Sequence, residues 1–158
     1  MPDGYGVPAG SDGLLDWVAV EARLVESAQY WLATTRPGGR PHVVPRWGVW
    51  LEGRFWYDGA PTTVHVRNLG HQPACTLHLE DGWKAVIVDG ISRPATPPGL
   101  DLGARLATAF ADKYADRDYV PEPDAWEGPG ANGLRHLTPT KALAWFDFPN
   151  DVTRFHFA

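Results

Sequence analysis

The residues with the clearest chemical potential lie close together in residues 62–73, TTVHVRNLGHQP. Thr63, His65 and Arg67 offer a hydroxyl, an imidazole and a guanidinium within five positions. A threonine is a good N-cap and Gly70 a good helix stop, so the stretch predicts a short helix whose first N–H groups and positive dipole end suit a phosphate. A self-capped turn that binds nothing is the alternative. Thr63 and Arg67 share a face in a helix, whereas all three residues share one in an extended segment, and the sequence leaves this choice open.

Other patterns that commonly mark catalytic or metal sites are absent or lack their context. Residues 128–133, GPGANG, have the spacing of a dinucleotide-binding loop, but a polar segment precedes them and a strand-like segment follows. The six histidines are scattered, and no carboxylate spacing supports a metal site. The single cysteine, Cys75, excludes an internal disulfide and a cysteine-based zinc site. We therefore expect no bound metal.

Charge and hydropathy argue against two classes of partner. The 158 residues carry a formal net charge of −5, which does not suit binding to a nucleic-acid backbone. No apolar run reaches the length of a membrane span, and the first residues lack the apolar core of a signal peptide. We expect a cytoplasmic protein with a flexible arm at residues 1–10 and a single domain at residues 11–158.

Strand-like segments surround residues 62–73. Aromatic and β-branched residues are frequent in seven segments separated by Gly and Pro turns: residues 28–36, 40–52, 53–59, 74–80, 84–93, 141–148 and 152–157. Alternation within residues 74–80 places Cys75, Leu77 and Leu79 on one face. Pro45 has no N–H, so its strand is expected at an edge, at a bulge or against a ligand. The pattern predicts a mainly β protein, an antiparallel barrel with added helices.

Two further segments have helical spacing. Ser11 or Asp12 is the expected cap of a helix that runs to about Ser27, with an apolar face formed by Leu14, Val18, Ala22 and Val25. Residues 100–115 predict a second helix with one apolar face formed by Leu102, Leu106, Phe110 and Tyr114. Residues 116–133 form a loop rich in Pro and Gly. The sequence leaves open whether this loop borders a pocket or covers a partner chain, and Tyr119 and Trp126 are its candidate lid residues.

The order of these segments resembles the FMN-binding split-barrel superfamily, in particular the pyridoxamine-phosphate-oxidase-like branch that includes the flavin/deazaflavin oxidoreductases. The resemblance rests on residues 28–94. They contain a strand, a G-G-R-P turn, a V-P-x-W strand, the T-x-H-x-R-N-L turn and a strand that ends in Glu-Asp-Gly. It implies a six- to seven-stranded antiparallel Greek-key split barrel, which forms a homodimer with the cofactor at the subunit interface.

The resemblance also implies a cofactor and a set of residues that hold it. FMN is the expected cofactor and coenzyme F420 the alternative, with the ring along residues 43–48. A flat ring needs apolar walls, and Trp47 and Trp50, on opposite faces of their strand, are the candidates for them. The turn at residues 62–73 is expected to bind the phosphate, and an aromatic residue of the partner chain is expected to border the ring. The expected cofactor-binding set is Val44, Pro45, Arg46, Trp47, Thr62, Thr63, His65, Arg67 and Trp145. The family usually has Lys or Arg where this chain has His65, and a neutral imidazole is a weaker partner for phosphate.

The activity that the resemblance implies is hydride transfer between bound FMN or F420 and a small organic substrate. His42, on the strand beside the ring, is the candidate proton donor, and no other residue is assigned as an acid or base. One alternative is a split barrel that stores or senses a flavin, deazaflavin or haem without turnover. Another is a dimeric barrel in which residues 62–73 are only a capped turn.

Overall fold

The computed structural model describes residues 10, 12–95, 97–128 and 133–158. Most of the expected N-terminal arm, the alternative cap Ser11 and residues 129–132 of the GPGANG match lie outside the described residues. Within the described part, the chain forms three α-helices, a 3-10 turn and eight strands. In chain order these are α1 Trp17–Glu26, β1 Tyr30–Thr35, β2 Pro41–Arg46, β3 Val49–Leu51, β4 Arg54–Asp58, α2 Val64–His71, β5 Ala74–His78, β6 Val86–Pro94, α3 Leu100–Tyr114, the 3-10 turn Ala115–Arg117, β7 Leu134–Ala144 and β8 Thr153–His156.

All the strand pairs are antiparallel, and the sheet follows the order β2-β1-β5-β6-β7-β4-β3, with β8 added alongside β7. The two strands at the ends of this path, β2 and β3, are separated in the chain only by Trp47 and Gly48. The sheet therefore curls back on itself, which confirms the predicted antiparallel split barrel. The structure has one strand more than predicted, because residues 40–52 divide into β2 and β3.

Gly48 and Tyr114 fix the break between β2 and β3. A Cβ atom on Gly48 would lie 2.3 Å from the Phe55 ring and 2.5 Å from the Trp56 carbonyl oxygen, so only glycine fits here. The Tyr114 hydroxyl from α3 accepts a hydrogen bond from the Gly48 N–H, at 2.9 Å, and lies 2.8 Å from the Gly48 carbonyl oxygen. At this corner the Gly48 N–H and carbonyl groups are thus bound by the side chain of Tyr114 instead of by a neighbouring strand.

The helix predictions have different outcomes. In α3, the predicted apolar face is confirmed, because Leu106, Phe110 and Tyr114 are buried. For α1, the predicted start and face are wrong. The helix begins at Trp17, because the Asp16 carboxylate accepts a hydrogen bond from the Val18 N–H at 3.1 Å.

The face of α1 that meets the sheet carries Val20 and Leu24, both fully buried. The residues predicted to form it are largely exposed, with exposed fractions of 44% for Leu14, 71% for Val18 and 48% for Val25. Two sets of apolar residues share helical spacing in this segment, and packing against the sheet selects the other one.

Two groups of buried side chains fill the interior. One group lies between α1 and the curled sheet and includes Tyr30, Phe55, Leu77 and Val88. The other lies under α3 and includes Trp56, Leu106, Phe110 and Trp126. The predicted alternation in β5 is confirmed, because Cys75, Leu77 and Leu79 are buried. No helix in the described ranges is long and apolar enough to cross a membrane.

Candidate functional site

The turn highlighted in the sequence forms the start of α2. Thr63 is the N-cap residue with extended backbone, and its hydroxyl donates to the Ala60 carbonyl oxygen at 2.8 Å rather than capping the helix. The N–H groups of the first turn of α2 are therefore not capped by the Thr63 side chain. Thr62 is exposed in the turn before it.

The helical conformation separates the polar side chains of this turn. His65 faces the interior with an exposed fraction of 3%, whereas Arg67 is exposed. Asn68 is also buried, and its amide donates to the Thr34 hydroxyl at 3.0 Å, which attaches α2 to β1. Thr63 Oγ1 lies 3.5 Å from His65 Nε2, so these two residues, rather than Thr63 and Arg67, present neighbouring polar atoms.

His65 is uncharged in this setting. Burial, followed by the positive charges of Arg46, His42 and Arg135, lowers its pKa to about 4. A neutral imidazole can donate or accept one hydrogen bond at each ring nitrogen but brings no charge to an anion. Any charge that this site offers must therefore come from other residues.

Two arginines supply that charge. Arg46 donates to the Asp58 carbonyl oxygen, and Arg135 donates to the Ser92 carbonyl oxygen at 3.4 Å. The Nε atoms of both arginines are buried and, within the described part of the chain, have no hydrogen-bond partner. Among the described residues, neither guanidinium lies within ion-pair distance of a carboxylate. Burial also lowers the pKa of Arg46, with Tyr57 and Asp58 acting in the opposite direction.

Strand register and one glycine bring these groups together. Tyr57 in β4 pairs with Arg135 in β7, and the Arg46 guanidinium lies 5.9 Å from the centre of the Tyr57 ring. A Cβ on Gly59 would lie 3.1 Å from Arg135 Cδ and 3.6 Å from His65 Nε2, so Gly59 lies between the two side chains. We call His42, Arg46, His65 and Arg135 the basic cluster.

A cleft of about 370 Å³ opens beside the basic cluster and shares Arg46 with it. Its lining, which we call the aromatic cleft, is formed by Pro45, Arg46, Trp47, Asp58, Phe110 and Tyr119. Trp47 is 39% exposed and stacks on Tyr114, with ring centres 5.0 Å apart and planes 8° apart. The cleft thus has flat apolar walls next to two cationic side chains that form no ion pair with any described residue.

The loop after α3 is attached to this cleft by hydrogen bonds to Asp58, the last residue of β4. The Asp58 carboxylate accepts hydrogen bonds from the Trp126 indole N–H, at 2.7 Å, and from the Tyr119 hydroxyl. Tyr119 packs edge-on against Phe110, with ring centres 5.5 Å apart. Burial and the Asp58 carboxylate raise the pKa of Tyr119. Of the two roles that the sequence left open for this loop, the structure shows Tyr119 at the border of a pocket.

Val44 and His42 lie on the same face of β2 as Arg46, since they pair with the buried Leu32 and Thr34 of β1. Trp50, in contrast, belongs to the core. It is buried, packs against Trp17 and donates to the Glu21 carboxylate at 2.8 Å.

Trp145 is separated from the site within one chain. It follows the end of β7, ten positions beyond Arg135, a separation of about 30 Å along an extended strand. Its indole donates to the Gly82 carbonyl oxygen at 3.3 Å. A role for Trp145 beside the cleft therefore requires a second chain.

Sequence reasoning missed Arg135, Asp58 and Phe110 as members of the site. Arg135 joins through the register of β7 against β4, and Phe110 through the packing of α3 over the break between β2 and β3. No local pattern encodes either relation. For Asp58, the one indication in the sequence is that Tyr119 and Trp126 in the loop each carry a hydrogen-bond donor that needs an acceptor when buried.

No protein-family model matches this sequence, and no curated protein matches it. Its fold, however, is similar to solved structures. One is a haem-binding protein from Mycobacterium smegmatis, with a TM-score of 0.66 and 19% identity over 90% of this chain; the chain spans 59% of that protein's length. A second is a conserved hypothetical protein from Mycobacterium tuberculosis, with a TM-score of 0.69 and 17% identity, covering 88% of this chain and 89% of the other.

A third similar structure is that of an F420 reductase, with a TM-score of 0.55 and 22% identity, covering 90% of this chain and 98% of the other. Identities this low establish a common architecture and not a common activity. Together with the curled antiparallel sheet and its helices, they show that this chain has the split-barrel fold.

Proposed function

We propose that this chain binds a phosphate-bearing flavin or deazaflavin, FMN or coenzyme F420, in the aromatic cleft and transfers a hydride between it and a small organic substrate. The observation that carries the proposal is the position of the basic cluster, whose two arginines have Nε atoms without a partner among the described residues, beside a flat cleft with aromatic walls. The similarity to an F420 reductase supports the same ligand class.

The residues present fit such a cofactor. A phosphate dianion matches two guanidinium groups, and Arg46 and Arg135 each keep a buried donor for it. Neutral His65 and the first-turn N–H groups of α2, which the Thr63 side chain does not cap, add uncharged donors at a helix end whose dipole also favours an anion. This division of roles accounts for the absence of the Lys or Arg expected at position 65, because the charge comes from Arg46 and Arg135 instead.

The ring part of the ligand is assigned to the aromatic cleft. Pro45, Trp47, Phe110 and Tyr119 line this cleft and provide apolar surface for a planar ring. The bound cofactor supplies the hydride chemistry, while the protein fixes its position and limits access of water. His42 remains the candidate proton donor, since it lies on the same face of β2 as Arg46.

We also propose a cytoplasmic homodimer, in which the partner's copy of the segment after β7 reaches the cleft. The separation of Trp145 from Arg135 within one chain supports this arrangement. The outer face of the sheet has two open depressions of about 420 and 400 Å³, both lined by Asp89 and Lys141, which offer a surface for the second copy.

The alternative is a split barrel that binds its ligand without turnover. The similarity to a haem-binding protein favours it, and so does the chemistry of the site. Two arginines with free buried donors beside a flat cleft suit the two carboxylates of a haem as well as one phosphate.

Absorbance and fluorescence titrations of the purified protein with FMN, F420 and haem test the proposal. We expect saturable FMN or F420 binding, in the micromolar range or tighter, and reduction or oxidation of the bound cofactor by an external hydride donor or acceptor. Binding without any redox turnover would favour the alternative. A protein that binds none of the three ligands would contradict both the proposed oxidoreductase and the alternative binding protein.

A double variant locates the ligand. Arg46→Gln with Arg135→Gln should weaken FMN binding by at least tenfold, since a single charge-assisted hydrogen bond contributes about 1.5 kcal/mol or more and about 1.4 kcal/mol corresponds to a tenfold change. Arg105→Gln is the matched control, because Arg105 is an exposed arginine of α3 whose ion pairs are at the surface. Equal losses in both variants would place the phosphate elsewhere.

A further inference from the structure

The amine of Lys113 lies beside a second, smaller cavity. Lys113 is near the end of α3, and the cavity, about 100 Å³, is lined by Ala28, Gln29, Trp47, Lys113, Tyr114, Asp116 and Arg117. Lys113 is half-buried, and in the described ranges no carboxylate lies within ion-pair distance of its Nζ atom. This is a cation in an unusual position, since buried lysines are normally paired.

The hydrogen bonds of Lys113 match those of a neutral amine. Nζ donates to the Ser27 carbonyl oxygen and to the Tyr30 hydroxyl oxygen, both at 2.9 Å. Tyr30 uses its own proton on the Leu24 carbonyl oxygen, so it can only accept from Lys113. A neutral amine has two N–H groups and one lone pair, whereas an ammonium has three N–H groups to satisfy. The two partners satisfy both N–H groups of the neutral form, and the described residues provide no third acceptor for an ammonium.

Burial, rather than the neighbouring charges, favours the neutral form of Lys113. Burial lowers the pKa of Lys113 to about 8. The ring of Tyr30, 5.1 Å from Nζ, favours the charged form, and Asp116 at the cavity is paired with Arg117 at 3.5 Å. The other titratable group facing Lys113 in the cavity is Tyr114. At pH 7.4 about 20% of Lys113 is then uncharged, against about 0.1% of an ordinary lysine.

We propose that Lys113 is a nucleophilic amine that accepts small acyl groups from activated donors such as acyl phosphates or thioesters. The Nζ lone pair attacks the acyl carbon, a C–N bond forms, and the bond from that carbon to phosphate or sulfur breaks. The leaving group departs as phosphate or thiolate, and the amine loses one proton to water. The product is an amide, and no oxidant or reductant is required.

The cavity favours this class of reactant. Its volume accommodates a short acyl chain, and Trp47 and Ala28 provide apolar surface for it. Trp47 also lines the aromatic cleft, so an acyl group on Lys113 lies one side chain away from that cleft.

The sequence provides its own controls, because Lys84, Lys113 and Lys141 are the only lysines. The folded protein is treated with a limiting amount of acetyl phosphate at pH 7.4, and the acetylated fraction of each lysine is measured by peptide mass spectrometry. We expect Lys113 to react about tenfold faster than the exposed Lys84, which is the matched control because Lys141 is paired with Asp89 at 3.2 Å. The larger uncharged fraction gives a gain of about 200-fold, which the lower intrinsic nucleophilicity of a weaker base reduces about tenfold or more.

Two further measurements separate the environment of Lys113 from its local sequence. In urea, all three lysines should react at similar rates. Trace labelling across pH 6 to 11 should give a midpoint near 8 for Lys113 in the folded protein, and this midpoint should rise when the protein is unfolded in urea. A Lys113 rate at or below that of Lys84 in the folded protein would overturn the proposal, whatever its midpoint. Preferential labelling that persists in urea would also overturn it, since the fold would then not be its cause.

Discussion

Replacement of Arg135 by methionine should stabilise the protein while weakening its binding of FMN. Arg135 is buried, its Nε has no partner among the described residues, and its bond to the Ser92 carbonyl oxygen is long, at 3.4 Å. A buried ion costs several kcal/mol in lost hydration, and the long hydrogen bond to Ser92 together with the polar interaction with the Tyr57 hydroxyl recovers only part of it. Methionine keeps a flexible apolar stem of similar length and removes the charge.

We expect Arg135→Met to raise the free energy of unfolding by about 1–3 kcal/mol, the range found when buried ionic groups are replaced by apolar ones. Urea denaturation in phosphate-free buffer measures this value, because phosphate would itself bind and stabilise the wild-type protein. Arg105→Met is the control, and its effect should stay within about 0.5 kcal/mol, as for most surface changes.

A second measurement tests whether Arg135 acts through its charge. Its guanidinium is one of the groups that lower the pKa of His65 to about 4, so this pKa should rise in Arg135→Met when followed by NMR. Destabilisation of more than about 1 kcal/mol would refute the reasoning, because the guanidinium would then be a structural group. A more stable variant that binds FMN as well as wild type would remove Arg135 from the proposed phosphate site.

Three other predictions concern the same framework. The pKa of His65 is about 4 in the folded protein and 6.5 for an ordinary histidine, so between these pH values the unfolded chain binds more protons than the folded protein. The free energy of unfolding should therefore fall as the pH decreases below 6.5, by up to about 1.4 kcal/mol per pH unit. His65→Gln should reduce this pH dependence, measured by urea titrations from pH 7 to 4.5. Trp126→Phe removes the 2.7 Å hydrogen bond to the Asp58 carboxylate and should cost about 1.5–3 kcal/mol, whereas Trp83→Phe, at an 88% exposed position, should have little effect; equal effects on thermal unfolding would contradict the assigned bond. Gly48→Ala places a methyl group 2.3 Å from the Phe55 ring and should destabilise by about 1–3 kcal/mol or more, and a variant as stable as wild type would show that the corner between β2 and β3 can relax.

The elements that the sequence predicted well are those governed by local patterns. The apolar spacing of α3 has one consistent solution, Leu106, Phe110 and Tyr114, and the alternation of β5 likewise has one. In α1, by contrast, two apolar sets have similar helical spacing, and only contact with the sheet decides that Val20 and Leu24 are the buried ones. Local spacing alone cannot predict which apolar face of a helix is buried when tertiary packing decides between two.

The candidate site was predictable only in part, for a similar reason. The turn containing Thr63 and His65 stands out in the sequence and is helical, with Thr63 at the N-cap position. The predicted details are wrong, because the Thr63 hydroxyl does not cap the helix and α2 continues past Gly70 to His71. The partners that give the site its charge and walls lie far away in the chain. Arg135 faces Tyr57 across a strand pair that joins residues 78 positions apart, and Asp58 meets Trp126 through a long loop. Such relations depend on register and loop closure, which no short segment encodes.

The two prolines of β2 have a consequence for self-association through strand edges. Among the described strands, β2 pairs only with β1, which leaves its other edge open. Neither Pro41 nor Pro45 can donate to β1, so both lie at positions whose backbone groups point away from it, and by alternation Val43 does too. Of these three outward positions, only Val43 carries an N–H group. An incoming strand would find one donor along this edge, which protects the barrel from edge-to-edge aggregation.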